Sequence, residues 1–388
     1  MEGERKSSRA TKKPQFYAPP VEVAVVRQTS DAESDAEVSK KPRGKKVKSK
    51  PKIVGGANTD TDDSDHEPAA KPVPKKSRAR APVKAKETNV PKGSLLDKVM
   101  TGKFGNREVY KSVEELKDNK VEEVAKIMNF VLLSAGAESG DSSSPCIALD
   151  QDLDGLEADE ISDLLSDTIH RMDEEGVKHY PLQSTNKTTR NLRTNYRAYW
   201  LDMANELRGN GDYDKHGVAG LEALSLLVDT LVSLSGMFVT NIRDTATEAV
   251  LAIARSMTLG CVDLRGRLAT CDRQLATEKS GSSRHQAIVK NRGRVDVAHK
   301  RLVGMGKNVY QSVLLHRYRD TAEAVRASCA YHMGEWISSD VLEVLKDEYL
   351  KYIGWLCSER SSTVRLEAVL AFSKIVQVSS YPTCFALL

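Results

Sequence analysis

The sequence predicts an all-α protein, a helical-repeat solenoid preceded by a disordered basic N-terminal arm, and three observations carry that expectation. Proline nearly vanishes from Lys111 onward, leaving Pro145, Pro181 and Pro382, while Leu, Ala, Val, Glu and Lys recur at helical spacing. Each of these segments carries an apolar stripe that a neighbouring helix has to cover. Two short stretches also repeat: Val325-Arg326-Ala327-Ser328-Cys329-Ala330 and Val364-Arg365-Leu366-Glu367-Ala368-Val369 begin 39 residues apart, a period within the HEAT and armadillo range. A further echo links Arg243-Asp244-Thr245-Ala246 with Arg319-Asp320-Thr321-Ala322. Stacked helix pairs explain these repeats, because each pair leans on the next to bury its face; a plain helical bundle carries the same stripes and is the alternative. The fold class is therefore a HEAT-like helical-repeat solenoid.

The arm, residues 1–93, holds ten of the thirteen prolines and only two aromatics, Phe16 and Tyr17. Without an apolar run able to form a core, it is expected to be disordered. It carries 22 Lys and Arg against 13 Asp and Glu, whereas the remaining residues carry 36 against 41, so the basic character lies in the arm. Two clusters, residues 40–52 and 71–86, flank an acidic patch at 60–67. Within them Lys41, Arg43, Lys45, Lys46, Lys75, Lys76, Arg78 and Arg80 are candidate nuclear-localisation residues, since an extended Lys/Arg strip engages an anionic partner without a fold. A solubilising tail is the alternative.

The body begins with an N-terminal helical region, residues 94–190, that includes a helix over 121–133 and an acidic loop. Asp150-Gln151-Asp152-Leu153-Asp154-Gly155 starts like a calcium-binding EF-hand loop, with carboxylates at positions one, three and five and a turn glycine at six. The twelfth position, which needs a bidentate carboxylate, is Ile161, and Glu157 occupies an apolar position. No metal or cofactor is predicted; the loop is expected to feed a helix over 157–175. Helices follow over 191–207, over 220–239 with the stripe Leu221, Leu224, Leu227, Val228, Leu231 and Val232, then over 245–258, 264–278, 279–315, 321–337, 341–357 and 364–375. Asp320, Ser339 and Ser362 are expected to cap helices. Two basic runs, Lys187, Arg190, Arg193 and Arg197 at one helix start and Lys290, Arg292, Arg294, Lys300 and Arg301 along the long charged helix, are DNA-binding candidates. They would hold phosphates without reading sequence. A solvated helix face is the alternative.

Several functional classes have no support. The six cysteines show neither C-x-x-C nor zinc-finger spacing, so reduced intracellular thiols are expected. The start, MEGERKSS, is charged where a secretory signal is apolar, and no stretch is expected to reach the roughly 20 apolar residues of a membrane span. There is no G-x-x-x-x-G-K-[ST], G-x-G-x-x-G or H-E-x-x-H, and no Ser or Cys in a nucleophile setting, so no catalytic residue is assigned.

Residues 313–372 resemble the stromalin conservative domain of the STAG-type cohesin subunits. The resemblance is carried by His316-Arg317-Tyr318-Arg319-Asp320, Arg326-Ala327, Gly334-x-Trp336, Leu345-Lys346-Asp347-Glu348-Tyr349-Leu350-Lys351-Tyr352-Ile353-Gly354-Trp355 and Val364-Arg365-Leu366. Residues 194–315 resemble the family's STAG domain. With the arm (1–93) and the N-terminal region (94–190), this gives a STAG-like domain at 191–315, a truncated stromalin conservative domain at 316–375 and an atypical tail at 376–388, VQVSSYPTCFALL, expected to be a gene-model artefact. The resemblance implies a nuclear, chromosome-bound, non-enzymatic cohesin subunit in sister chromatid cohesion and chromosome segregation. It would dock on the kleisin subunit and SMC proteins of the ring, contact double-stranded DNA and bind regulators that carry aromatic linear motifs. The family's motif-binding surface maps to Tyr318, Asp347, Leu350, Lys351 and Trp355, with Trp336 left as core and the second half of the pocket expected to be missing. A generic helical-repeat nuclear scaffold or transport adaptor is the alternative function.

Overall fold

The computed structural model describes residues 90, 92–138, 145–174, 176–177, 179–183, 189–209, 213–344 and 346–379; both basic clusters of the arm, Lys187 and Leu345 lie outside them. Among the described residues every regular element is helical. Three helices open the body: α1 (Leu95–Thr101), α2 (Asn106–Asp118) and α3 (Lys120–Ser134). Ser94 starts α1 by accepting the Asp97 amide, and Gly102 ends it in the left-handed region at φ +67°, where a side chain would be strained. Helix α3 is apolar nearly all round, with Val124, Ile127, Met128, Val131 and Leu132 buried, and so sits inside the body.

The acidic loop is held by Asn129, whose side chain both donates to the Ile147 carbonyl (2.8 Å) and accepts its amide (2.9 Å). Asp154 pairs with Lys120 Nζ at 2.6 Å, and Ile161 turns into the core. The single helix expected over 157–175 is divided at Leu165 into α4 (Ala158–Leu164) and α5 (Ser166–Glu174).

Next come α6 (Leu192–Leu207) and α7 (Tyr213–Ser235), the latter broken at Gly217, whose φ of +56° only glycine adopts without strain. Residues Gly217–Ser235 do reach membrane-span length and hydropathy, 19 residues at mean hydropathy 1.6, against the sequence expectation. Leu224, Leu227, Val228, Leu231 and Leu234 are nevertheless completely buried against protein, so the stripe serves as core.

Helix α8 (Thr240–Thr277) is continuous across 38 residues where two helices were expected, because Leu259-Gly260-Cys261 contains no true breaker. It runs about 57 Å. Its first half is enclosed by α3, α6, α7 and α11; its second half pairs with α9 (Ser283–Val309) in an antiparallel hairpin. Ser282 caps α9 by accepting the His285 amide. The expected 279–315 helix is interrupted by a π-helical turn, Tyr310–Leu314, before α10 (Leu315–Arg317).

The last part comprises α11 (Glu323–Ser339), α12 (Val341–Val344), α13 (Asp347–Cys357) and α14 (Ser362–Ser379). Of the expected caps, Asp320 accepts the Ala322 amide at 2.9 Å. Ser339 instead ends α11, donating back to the Glu335 carbonyl, and Ser361 rather than Ser362 faces the Val364 amide. Helices α11 and α14 approach so closely that a Cβ on Gly334 would lie 2.6 Å from Ala371 Cα and Cβ. The equivalence of Arg243 with Arg319 fails: Arg243 lies within α8, whereas Arg319 is in the turn before α11. Arg243 instead corresponds to Arg326 and Arg365, each preceded by a fully buried β-branched residue, Ile242, Val325 or Val364.

Candidate functional site

Helix α6 and the long hairpin use the same residue types in opposite ways. On α6, Arg193 and Arg197 share a face, four residues apart, and so do Asp244 and Glu248 on α8. Arg193 Nη2 donates to Asp244 at 2.6 Å, and its Nη1 donates to Glu248 and, at 3.0 Å, to Ser328 Oγ. Arg197 grips both oxygens of Glu248 at 2.7 Å with its guanidinium carbon 3.8 Å above the Tyr331 ring. Tyr180 Oη donates to Asp244 (2.6 Å), and His332 Nε2 lies 2.9 Å from Glu248. The carboxylates are completely buried.

Burial alone would raise the Glu248 carboxyl; Arg197 and Arg193 outweigh it and hold the group well below the usual carboxylate range. Burial lowers the His332 imidazole although Glu248 opposes it. The network ties α6, α8 and α11 together. The phosphate-binding role expected of Arg193 and Arg197 is thereby corrected, because both guanidiniums are engaged by protein carboxylates. Arg190, immediately before the helix, is exposed. The signal for this lay on α8, where two acids at i, i+4 sit in an apolar stretch and demand buried cations.

Further ion pairs join α8 to the segment around α11: Arg243 with Asp320 (2.7 Å), Arg255 with Glu335 (2.7 Å) and Arg265 with Asp340 (2.6 Å). These span the boundary between the two domains expected from the sequence.

The hairpin is different. Beyond Leu264 only Cys271 of α8 is buried, so its distal half has a thin core and a large solvent face. Residues 262–307 carry eleven Lys and Arg against four Asp and Glu, in a body that is otherwise acidic. Lys290, Arg294 and Lys300 are exposed, while Arg292 and Arg301 are partly covered. Arg292 bridges to Asp272 at 2.6 Å and Lys300 to Asp296 at 2.7 Å. Both pairs are solvated, so a competing anion can replace the carboxylate at little cost.

Around α13 the aromatic residues gather. Trp355 is 56% exposed, and its ring centroid lies 6.2 Å from that of the half-buried Tyr318. Lys351 and Asp347 precede Trp355 by one and two helical turns and are exposed, whereas Leu350 packs against the core. The structure thus brings Tyr318 to the α13 stripe that the sequence singled out. Beneath it lies a layer that motif reasoning missed. Tyr352 touches both rings (4.8 Å to Tyr318, 5.3 Å to Trp355), and Tyr310, carried on the π-helical turn, meets Tyr349 at 4.7 Å and Trp336 at 6.1 Å. Trp336 is buried, as expected. The tyrosine spacing at 349 and 352 was the available clue.

Comparison with known proteins follows this layout. The STAG domain model matches residues 178–294, and the stromalin conservative domain model matches residues 319–387. The second match extends over residues 376–387, part of the tail expected to be atypical. The chain is 24% identical over 269 residues to cohesin subunit psc3 of Schizosaccharomyces pombe, covering 68% of this chain and 26% of that protein. It is 26% identical over 198 residues to sister-chromatid cohesion protein 3 of Arabidopsis thaliana (50% and 18% covered) and 29% identical over 151 residues to human cohesin subunit SA-3 (37% and 12%). It therefore spans about a quarter or less of the length of these relatives. Cohesin subunit Scc3 from Z. rouxii superposes with a TM-score of 0.61 at 19% identity, over 74% of this chain and 33% of that one, and shares its helical solenoid fold. With both domain models matched in order along such a scaffold, the chain carries a STAG domain followed by a stromalin conservative domain and is similar to the cohesin subunits that these relatives represent.

Proposed function

We propose that this chain is a non-catalytic adaptor of cohesin, acting on chromosomes in the nucleus in sister chromatid cohesion and chromosome segregation. The observation that carries the reading is the succession of a STAG and a stromalin conservative domain in a chain whose curated relatives are named as cohesin subunits. Its partners on this reading are the kleisin subunit and SMC proteins of the ring, double-stranded DNA, and regulators with aromatic linear motifs.

Three features support the parts. The hairpin with Lys290, Arg292, Arg294, Lys300 and Arg301 is a long basic surface suited to phosphates irrespective of base sequence, and exposed Arg190 is a further candidate. Exposed Trp355 and half-buried Tyr318 form an aromatic wall able to receive a partner ring, with Lys351 and Asp347 beside it to orient a peptide and Leu350 as the apolar floor. The clusters at 40–52 and 71–86 serve as nuclear-import signals.

Affinity capture of the full chain from nuclear extract tests the reading. Co-recovery of kleisin and SMC subunits is expected. Recovery of transport factors with no cohesin subunit would instead establish a generic nuclear scaffold or transport adaptor.

A further inference from the structure

Tyr310 and Tyr318 stand eight residues apart across the π-helical turn. The Leu315 amide reaches back five residues to the Tyr310 carbonyl, and the Tyr318 amide returns to the ordinary four-residue step by donating to the Leu314 carbonyl at 3.1 Å. In a regular α-helix eight residues leave two side chains about 80° apart around the axis. The π turn absorbs one residue, so the separation becomes that of seven residues, about 20°, and both tyrosines come to one face. Their rings accordingly meet the same residue: Tyr352 of α13 lies 6.4 Å from Tyr310 and 4.8 Å from Tyr318.

Tyr310 also meets Tyr349 edge-on at 4.7 Å and Trp336 of α11 at 6.1 Å, and its hydroxyl donates to the Glu348 carbonyl at 3.4 Å in the first turn of α13. Tyr349, Tyr352 and Trp355 follow one another at three-residue steps, so a ring that holds the first two also sets the third. Tyr352 is buried and cannot face a partner, but it stands perpendicular to Trp355, at 89°, while Trp355 and Tyr318 are inclined by only 33°. The wall is thus two exposed or half-exposed rings whose spacing is fixed by a third beneath them. Edge-to-face contacts between rings depend on orientation, so Tyr310 constrains Tyr352 in a way that an aliphatic side chain of similar bulk does not.

We infer that Tyr310 is a positioning residue for the peptide surface: from the π-helical turn it fixes Tyr352, and through Tyr352 the spacing and tilt of the Tyr318 and Trp355 rings that receive the partner's aromatic side chain. The inference rests on the proposed peptide-binding role of that wall, and it assigns to the wall a residue that does not itself touch the partner.

Fluorine NMR of the full chain labelled with fluorotryptophan reads the setting of Trp355 without any ligand. The chain has three tryptophans; Trp200 and Trp336 are buried, and Trp355→Phe identifies the remaining signal. Tyr310→Leu, which keeps apolar bulk and removes the ring, should shift and broaden the Trp355 signal. The signal of Trp200, packed against Phe130 of α3, should stay in place and so report that the chain is folded. Tyr310→Phe, which loses only the hydroxyl, should give the unsubstituted Trp355 signal. If the leucine variant does not fold, Tyr310→Met takes its place, since methionine adapts to irregular gaps. In a titration with a synthetic peptide carrying two phenylalanines one residue apart, Tyr310→Leu should weaken binding at least fivefold, and Tyr310→Phe should stay within about twofold. An unchanged Trp355 signal in the folded ringless variant overturns the inference, as does normal peptide affinity in that variant or a loss that Tyr310→Phe shares. Failure of the peptide to bind the unsubstituted chain overturns the peptide-binding reading instead, and the fluorine signals then still decide whether Tyr310 sets the wall.

Discussion

The two halves of α8 place charge under opposite conditions. In the first half Asp244 and Glu248 are sealed between helices and matched by Arg193 and Arg197; in the distal half, beyond Arg265, most charges of the hairpin face solvent over a thin core. The basic runs on α6 and α9 look alike in sequence. They differ because α6 packs on a helix that presents two carboxylates, whereas α9 packs on a short apolar seam. A buried ion pair is hard to break one member at a time, since the remaining charge has been stripped of water, while a solvated pair contributes little. The buried pairs thus serve architecture, and the solvated charges are the ones proposed to meet phosphate.

Substitutions should separate the halves, the strongest being Glu248→Gln. It leaves two buried guanidiniums short of a counter-charge and should lower unfolding free energy by about 3–5 kcal/mol in urea titrations. Arg294→Glu in the hairpin should change it by less than about 0.5 kcal/mol. Comparable losses at the two sites would break the comparison.

Adding one methyl group should change stability in opposite directions. Gly334→Ala forces α11 from α14 at a 2.6 Å approach, with an expected loss of about 1–3 kcal/mol. Gly293→Ala lies in open space on α9 and should stabilise by up to about 1 kcal/mol through helix propensity, read as a rise in melting temperature.

The smallest effect concerns pH. His332 has its folded-state value lowered by burial, against the pull of Glu248 on α8, with Arg197 of α6 also disfavouring the proton and Glu335 of α11 opposing. The folded state resists the proton that the unfolded chain accepts near 6.5. The stability is thus complete above that pH and is lost as pH falls through it toward the lowered value. Urea midpoints should decline from pH 7.5 to about 5.5, and His332→Gln should flatten the decline.

Much of the helical order was legible because apolar spacing and proline loss are local signals. What escaped was set by contacts between helices. The continuity of α8 through Gly260 depends on the helices packed around it, since an isolated glycine only weakens a helix. The division of 341–357 around Lys346 reflects the turn that carries α13 back onto α14. The inward orientation of Arg193 and Arg197 needed α8 beside α6, and the true repeat equivalence of Arg243 with Arg326 became visible only through the fully buried residue before each, Ile242 and Val325. Tyr318 and Trp355 are singled out by resemblance, and the tyrosine spacing hints at Tyr352 beneath them, whereas Tyr310, which backs Tyr352 from the π-helical turn, is brought there only by the packing.

The central claim, that solvent-facing hairpin cations are the ones available to phosphate, is tested most directly by the salt dependence of binding to a labelled duplex measured by fluorescence anisotropy. The unsubstituted chain should bind without sequence preference. The Lys290→Glu, Arg292→Glu, Arg294→Glu triple variant should bind at least tenfold more weakly, with the slope of log affinity against log salt flatter by about 2 to 3. An unchanged affinity and slope in the folded triple variant would contradict the account.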